Sequence, residues 1–156
     1  MSIFPTTILL ATDGSKQAEL AARTAVGIAA TTNSELHMIT VARLEYRSGY
    51  EIPESGDFLK RTYKAIERKA QELLDEQVKK IEKTGGTIPQ VHLLWGRPDR
   101  EIVHLADEIG AGLIVMGSRG QGGVRRALMG SVSDSVVRHA HCPVLVVRRE
   151  DRQERV

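Results

Sequence analysis

The chain has 156 residues, 41% hydrophobic and 27% charged, with a net charge of +2 at pH 7. That length supports one domain with a sizeable core, and the near balance of charge gives no electrostatic case for nucleic acid or an anionic membrane as partner. No apolar run approaches the roughly 18 residues of a bilayer span, the N-terminus lacks the pattern of a secretion signal, and the single Cys142 has no internal disulfide partner; the expected address is cytoplasmic.

Thr7–Ala11 (TILLA) is a short apolar run ending at Asp13-Gly14 and reads as a buried strand. Ser15 is placed to cap a helix from Lys16 to about Ala30, where Ala18, Ala21, Ala22, Ala25, Ile28 and Ala29 recur at helical spacing. Glu35–Val41 (ELHMITV) is a second strand, apolar on both parities. Residues 42–56 show no period and carry Gly49, Pro53 and Gly56; so long a loop in a compact domain is functional or mobile. Tyr63, Ile66, Ala70, Leu73, Leu74, Val78 and Ile81 then give the longest helix signal, a stripe expected to face the core, closed by Gly85-Gly86. Gln90–Trp95 is a third strand. Pro98, with Asp99 and Glu101 beside it, opens a short helix carrying Ile102, Val103, Ala106 and Ile109. Leu113–Met116 is the fourth strand, Ser131–Ala140 the final helix and Val144–Val147 the fifth strand. The domain is expected to span 1–149, with a charged tail over 150–156.

Alternating strands and helices predict an α/β fold: one open, five-stranded parallel sheet with helices on both faces. The continuous runs ILL, LIVM and VLVV agree, because strands buried on both faces do not alternate. Ligands bind such sheets at the carboxyl ends of strands, where strand order reverses. With the order 3-2-1-4-5, Asp13 after strand one and the loop from Gly117 after strand four would face one crevice, and Val41 would close strand two beside it.

The segment GSRGQGGVRRALMGS, 117–131, is crowded with glycine. Without Cβ a loop can turn through positive φ and aim successive N–H groups at one anion. The helix starting at Gly130-Ser131 adds unpaired N–H groups and the positive end of its dipole. Two familiar phosphate motifs are absent. A P-loop needs a lysine, and none follows Lys83; a dinucleotide fingerprint starting at Gly120-Gln121-Gly122 would need glycine at Arg125. A flexible glycine turn with no ligand is the plain alternative.

The spacing Gly117-Ser118-Arg119-Gly120, nine residues, then Gly130-Ser131 resembles the nucleotide-binding signature of the universal stress protein family. The start ILLATDGS and the end SVVRHAHCPVLVVR resemble that family too, so the likeness runs from Thr7 to Arg149. It implies the same five-stranded fold, order 3-2-1-4-5, and adenine-nucleotide binding: ATP, with AMP and ADP as alternatives, and magnesium or manganese carried on the phosphates. Carried across, Asp13 would hold the ribose hydroxyls. Val41 would read the adenine edge through its backbone, with Ala11, Thr12 and Met116 lining the pocket. Gly117, Gly120, Gly130 and Ser131 would hold the phosphates, with Ser118, Arg119, Val132 and Ser133 at neighbouring positions.

The remaining candidates have plainer readings. Thr12-Asp13-Gly14-Ser15 is similar to a phosphoaspartate loop, but the nucleophile position is Ala11. His139 and His141 point to different faces of a helix end and have no nearby cysteine or carboxylate pair to complete a metal site. His37, His92 and His104 read as isolated packing histidines. Ser131, Ser133, Asp134 and His139 lack the elbow of a hydrolase nucleophile. Trp95 reads as a core plug and Cys142 as an inert buried thiol. The expected function is a cytoplasmic ATP-binding module of the stress response, a nucleotide-dependent switch or adaptor with at most slow hydrolysis. An ATPase or phosphotransferase and a nucleotide-free dimeric adaptor are its rivals. As strand five is an edge, its apolar stretch 144–147 predicts a homodimer.

Overall fold

The computed structural model describes residues 2–44, 56–119 and 129–148, and among these strand and helix alternate as the apolar runs predict. In chain order they are β1 (Thr7–Ala11), α1 (Lys16–Thr32), β2 (Glu35–Ala42), α2 (Gly56–Lys83), β3 (Gln90–Trp95), α3 (Pro98–Glu108), β4 (Ala111–Gly117), α4 (Ser131–His139) and β5 (Val144–Val147). Most of the expected loop over 42–56, Gly120 and the expected tail lie outside the described residues.

The strands form one parallel sheet in the order β3-β2-β1-β4-β5. Alternate residues of each strand feed opposite faces. Ile8, Leu10, Leu36, Met38, Leu113 and Val115 face one way and pack with Ala21, Ala22 and Ala25 of α1 and Leu74 and Ile81 of α2. Leu9, Ala11, Ile39, Ile114 and Met116 face the other way and pack with Ile102, Leu105 and Ala106 of α3 and Val136 of α4. Both faces are therefore covered, which is why the strand sequences do not alternate.

Helix α1 starts where Ser15 accepts the Ala18 N–H at 3.2 Å, and stops where Asn33 takes a left-handed conformation and returns its N–H to Ala29. Its sheet-facing residues are alanines, so its backbone lies close to the strands. Helix α2 departs from the expected stripe. Only Leu74, Gln77 and Ile81 are buried, Gln77 being polar, and Tyr63 stays 44% exposed. The reason is length. Twenty-eight helical residues span about 42 Å, whereas the eight residues of β2 span about 26 Å. The first half of α2 therefore overhangs the carboxyl edge of the sheet.

Candidate functional site

Strands β1 and β4 are neighbours, so the segments leaving their carboxyl ends lie side by side. After β1, Thr12 is buried and anchored from both sides of its peptide. Its N–H donates to the Ile39 carbonyl at 3.0 Å, and its carbonyl accepts the Thr40 hydroxyl at 2.7 Å. The Thr12 hydroxyl accepts the Gly14 N–H at 3.2 Å, and Asp13 Oδ1 accepts the Ser15 N–H at 2.9 Å. Gly14 sits at φ 77°, a turn that glycine makes without strain. The result is a rigid turn that presents the Asp13 carboxylate on the exposed side of the crevice. On β2, Ile39 turns its carbonyl toward β1. By the two-residue repeat of a strand, Val41 turns its own peptide groups the same way, past the end of β1. Val41 is half-buried, while Ala11 and Met116 are buried on the side of α3 and α4.

The end of β4 is built more tightly. A Cβ on Gly117 would lie 2.9 Å from both the carbonyl carbon and the Cβ of Gln17, and 3.1 Å from the Ala18 nitrogen. This glycine lets the first turn of α1 pack on the end of β4, which accounts for it without any ligand. The next residue, Ser118, is buried. Its N–H donates to the Val147 carbonyl of β5 at 2.9 Å. Its carbonyl accepts two bonds, from the Gly130 N–H at 2.6 Å and from the buried Ser133 hydroxyl at 2.7 Å. Gly130 is the N-cap of α4 in an extended conformation, and the first helical bond runs from the Asp134 N–H to its carbonyl at 3.0 Å. Ser131 is exposed, Val132 and Arg119 are half-buried, and Gly120 lies outside the described residues. Asp13, Val41, Gly117, Ser118 and the first turn of α4 thus gather at one end of the sheet, with Ser133 turned inward onto Ser118.

Several features were not visible in the sequence. Trp95 is not a core plug. It ends β3 half-buried and meets Tyr63 of the overhanging helix edge to face, with ring centres 5.1 Å apart. The two line an open hollow of about 500 Å³ with Arg43, Leu44, Gly96 and Arg97. His37 and His92 are not isolated either. His37 Nδ1 and His92 Nε2 lie 3.2 Å apart, and His37 Nε2 is 2.6 Å from Glu35 Oε1. Burial, and then the neighbouring His37, hold the His92 imidazole below its usual range against an opposing pull from Glu108. The pair lies toward the amino end of β2, away from the crevice. His104 sits 3.7 Å from Glu108, and His141 pairs with Asp107 at 2.9 Å. Cys142 is half-buried, and burial followed by Asp107 raises its thiol.

The hydrolase-like set does not assemble, since Asp134 pairs with Arg138 at 3.1 Å and His139 Nδ1 lies 2.8 Å from the Ser135 carbonyl. Among the described residues, no three His, Cys, Asp or Glu side chains converge to hold a metal ion, and no helix is long and apolar enough to cross a membrane.

Comparison with known proteins agrees with this geometry. Residues 5–148 match the family model described as the Universal stress protein family. A universal stress protein of Methanocaldococcus jannaschii is 36% identical over 146 residues, 94% of this chain and 84% of that protein. Among solved structures, universal stress protein UspA of Lactobacillus plantarum superposes with a TM-score of 0.79 at 27% identity, covering 93% of this chain and 99% of that one. A universal stress protein in complex with cAMP gives 0.69 at 28% identity, covering 96% and 100%. One from Archaeoglobus fulgidus in complex with dAMP gives 0.61 at 25% identity, covering 94% and 100%. With a family model spanning nearly its whole length and this sheet order beneath it, the chain belongs to the universal stress protein family.

Proposed function

We propose that this chain binds ATP in the crevice between the ends of β1 and β4, and works as a nucleotide-dependent switch or adaptor in the cytoplasmic stress response. The observation that carries the reading is convergence: the Asp13 carboxylate, the Val41 peptide groups and the first turn of α4 reach the same end of the sheet from three separate elements. Each suits one part of an adenine nucleotide. A carboxylate accepts from both ribose hydroxyls, a strand's peptide edge reads a base, and the N–H groups opening a helix receive phosphate. The structures of family members with cAMP and dAMP support the same class of ligand. Magnesium or manganese would enter on the phosphate oxygens and keep most of its water. Pairing of two copies along β5, the outermost strand of the described sheet, would bury Val144–Val147, which are only half-buried in one chain.

The decisive experiment is mass spectrometry of whatever co-purifies with the protein, followed by calorimetric titration of the stripped protein with ATP, ADP and AMP. The expected result is bound adenine nucleotide and a melting temperature that rises with ATP concentration. Absence of both would leave a ligand-free adaptor. Turnover above about one ATP per second, the lower end of ordinary enzyme rates, would make the protein an enzyme instead.

A further inference from the structure

Ser133 carries a hydroxyl that the proposed phosphate contacts do not require. It is 2% exposed, and it donates to the Ser118 carbonyl at 2.7 Å, with the Gly130 carbonyl 3.1 Å away. Only one proton is available, so the shorter contact takes the main bond. That bond ties α4 to the residue that follows β4, fifteen positions earlier in the chain. Beside it, the Gly130 N–H reaches the same carbonyl oxygen at 2.6 Å. Ser118 in turn is fixed through its N–H to β5. One buried peptide therefore sets where β4, β5 and α4 stand relative to one another.

The hydroxyl that does this sits in the first turn of α4, whose opening N–H groups belong to Ser131, Val132 and Ser133 itself. An N–H group holds an oxyanion only over a few tenths of an ångström, so its parent turn has to be stationary before the ligand arrives. We propose that Ser133 is a positioning residue of the nucleotide site: its hydroxyl clasps the Ser118 carbonyl and holds the first turn of α4 in register with the end of β4, without touching the nucleotide. This rests on the nucleotide-binding reading above and assigns Ser133 a role other than phosphate ligand.

The chemistry separates the two roles. A phosphate ligand is idle in the free protein, whereas a clasp is made there. Ser133→Ala removes the hydroxyl with little change of volume. It leaves the Ser118 carbonyl still bonded to Gly130, so no buried carbonyl is orphaned and the fold should persist. The test measures amide hydrogen exchange at Gly130 in the nucleotide-free protein, together with calorimetric affinity for ATP, in wild type, Ser133→Ala and Ser133→Thr. The clasp requires faster Gly130 exchange in the alanine variant. It also requires ATP affinity about threefold to tenfold lower, the equivalent of losing one neutral hydrogen bond. Threonine keeps the hydroxyl and should restore both. Lost affinity with unchanged Gly130 exchange would make Ser133 a direct ligand and overturn the proposal, as would faster exchange with unchanged affinity. A wild type that binds no adenine nucleotide would instead defeat the functional reading, and Gly130 exchange would then report the clasp as purely structural.

Discussion

Gly117→Ala is the sharpest test of why a signature glycine stands where it does. The added Cβ would meet backbone and Cβ atoms of Gln17 at 2.9 Å and the Ala18 nitrogen at 3.1 Å. These atoms belong to the first turn of a helix pinned by its own cap, so they cannot swing aside as a side-chain tip would. Overpacking of this kind costs about 1–3 kcal/mol. Replacing glycine also stiffens the unfolded chain, which returns about 0.4–1 kcal/mol. The net expectation is a loss of about 1–2 kcal/mol, or a melting temperature lower by about 2–8 °C in a chain of this size. Gly27→Ala is the internal control. It is the same substitution in the helix against which Gly117 packs, but at an exposed position with nothing within 4 Å of the new Cβ. There helix propensity and chain entropy act together, and stability should rise by about 0.5–1 kcal/mol. Both are read by thermal circular dichroism without nucleotide. A Gly117→Ala protein that melts at or above wild type would refute the packing argument and return that glycine to the ligand.

Asp13→Ala should weaken ATP by about 1.5–3 kcal/mol, the range for hydrogen bonds to a charged group, while inorganic triphosphate, which has no ribose, loses far less; equal losses in calorimetry would place Asp13 elsewhere than on the sugar. Lowering pH should destabilise the fold through His92. Its native value lies below the ordinary 6.5, so as pH falls through that value the unfolded chain takes up a proton that the native imidazole refuses. The urea midpoint should therefore drop between pH 7.5 and 5.5 more in wild type than in His92→Gln, and parallel drops in the two proteins would count against the argument. Val146→Lys, its fold checked by circular dichroism because Val146 also packs on the core, should give a monomer in sedimentation where the wild type runs as a dimer, since it sets a charge on the outermost strand of the described sheet; a folded lysine variant that stays fully dimeric moves the interface elsewhere.

What could be read from the residues and what could not divides by range. The strands and the α/β class were legible because a strand covered on both faces has to be apolar on both parities, as TILLA and VLVV are. Asp13, Val41 and the glycine segment could be assigned to strand ends on the same grounds, since a parallel sheet puts every carboxyl end on one side. Contacts that depend on register were not legible. His37 and His92 meet because Ile39 pairs with His92 across β2 and β3, an alignment that neither strand states by itself. Tyr63 carries the helical repeat of a core residue but lies in the part of α2 that outruns the sheet. Gly117 looks from its spacing like every other glycine of the segment; only the approach of α1 separates it. Ser133 looks like a neighbour of the phosphate site until its hydroxyl is seen to face Ser118.

The end of β4 and the start of α4 meet at one oxygen, the Ser118 carbonyl that receives Gly130 and Ser133. A carbonyl oxygen offers two lone pairs, and here both are spent inside the fold. Loss of either donor leaves the other bond in place and loosens the junction without undoing it. A change that turns the Ser118 peptide away would instead withdraw the acceptor from both donors together. Tolerance to substitution at this junction is therefore set by the backbone of residue 118 more than by any one side chain around it.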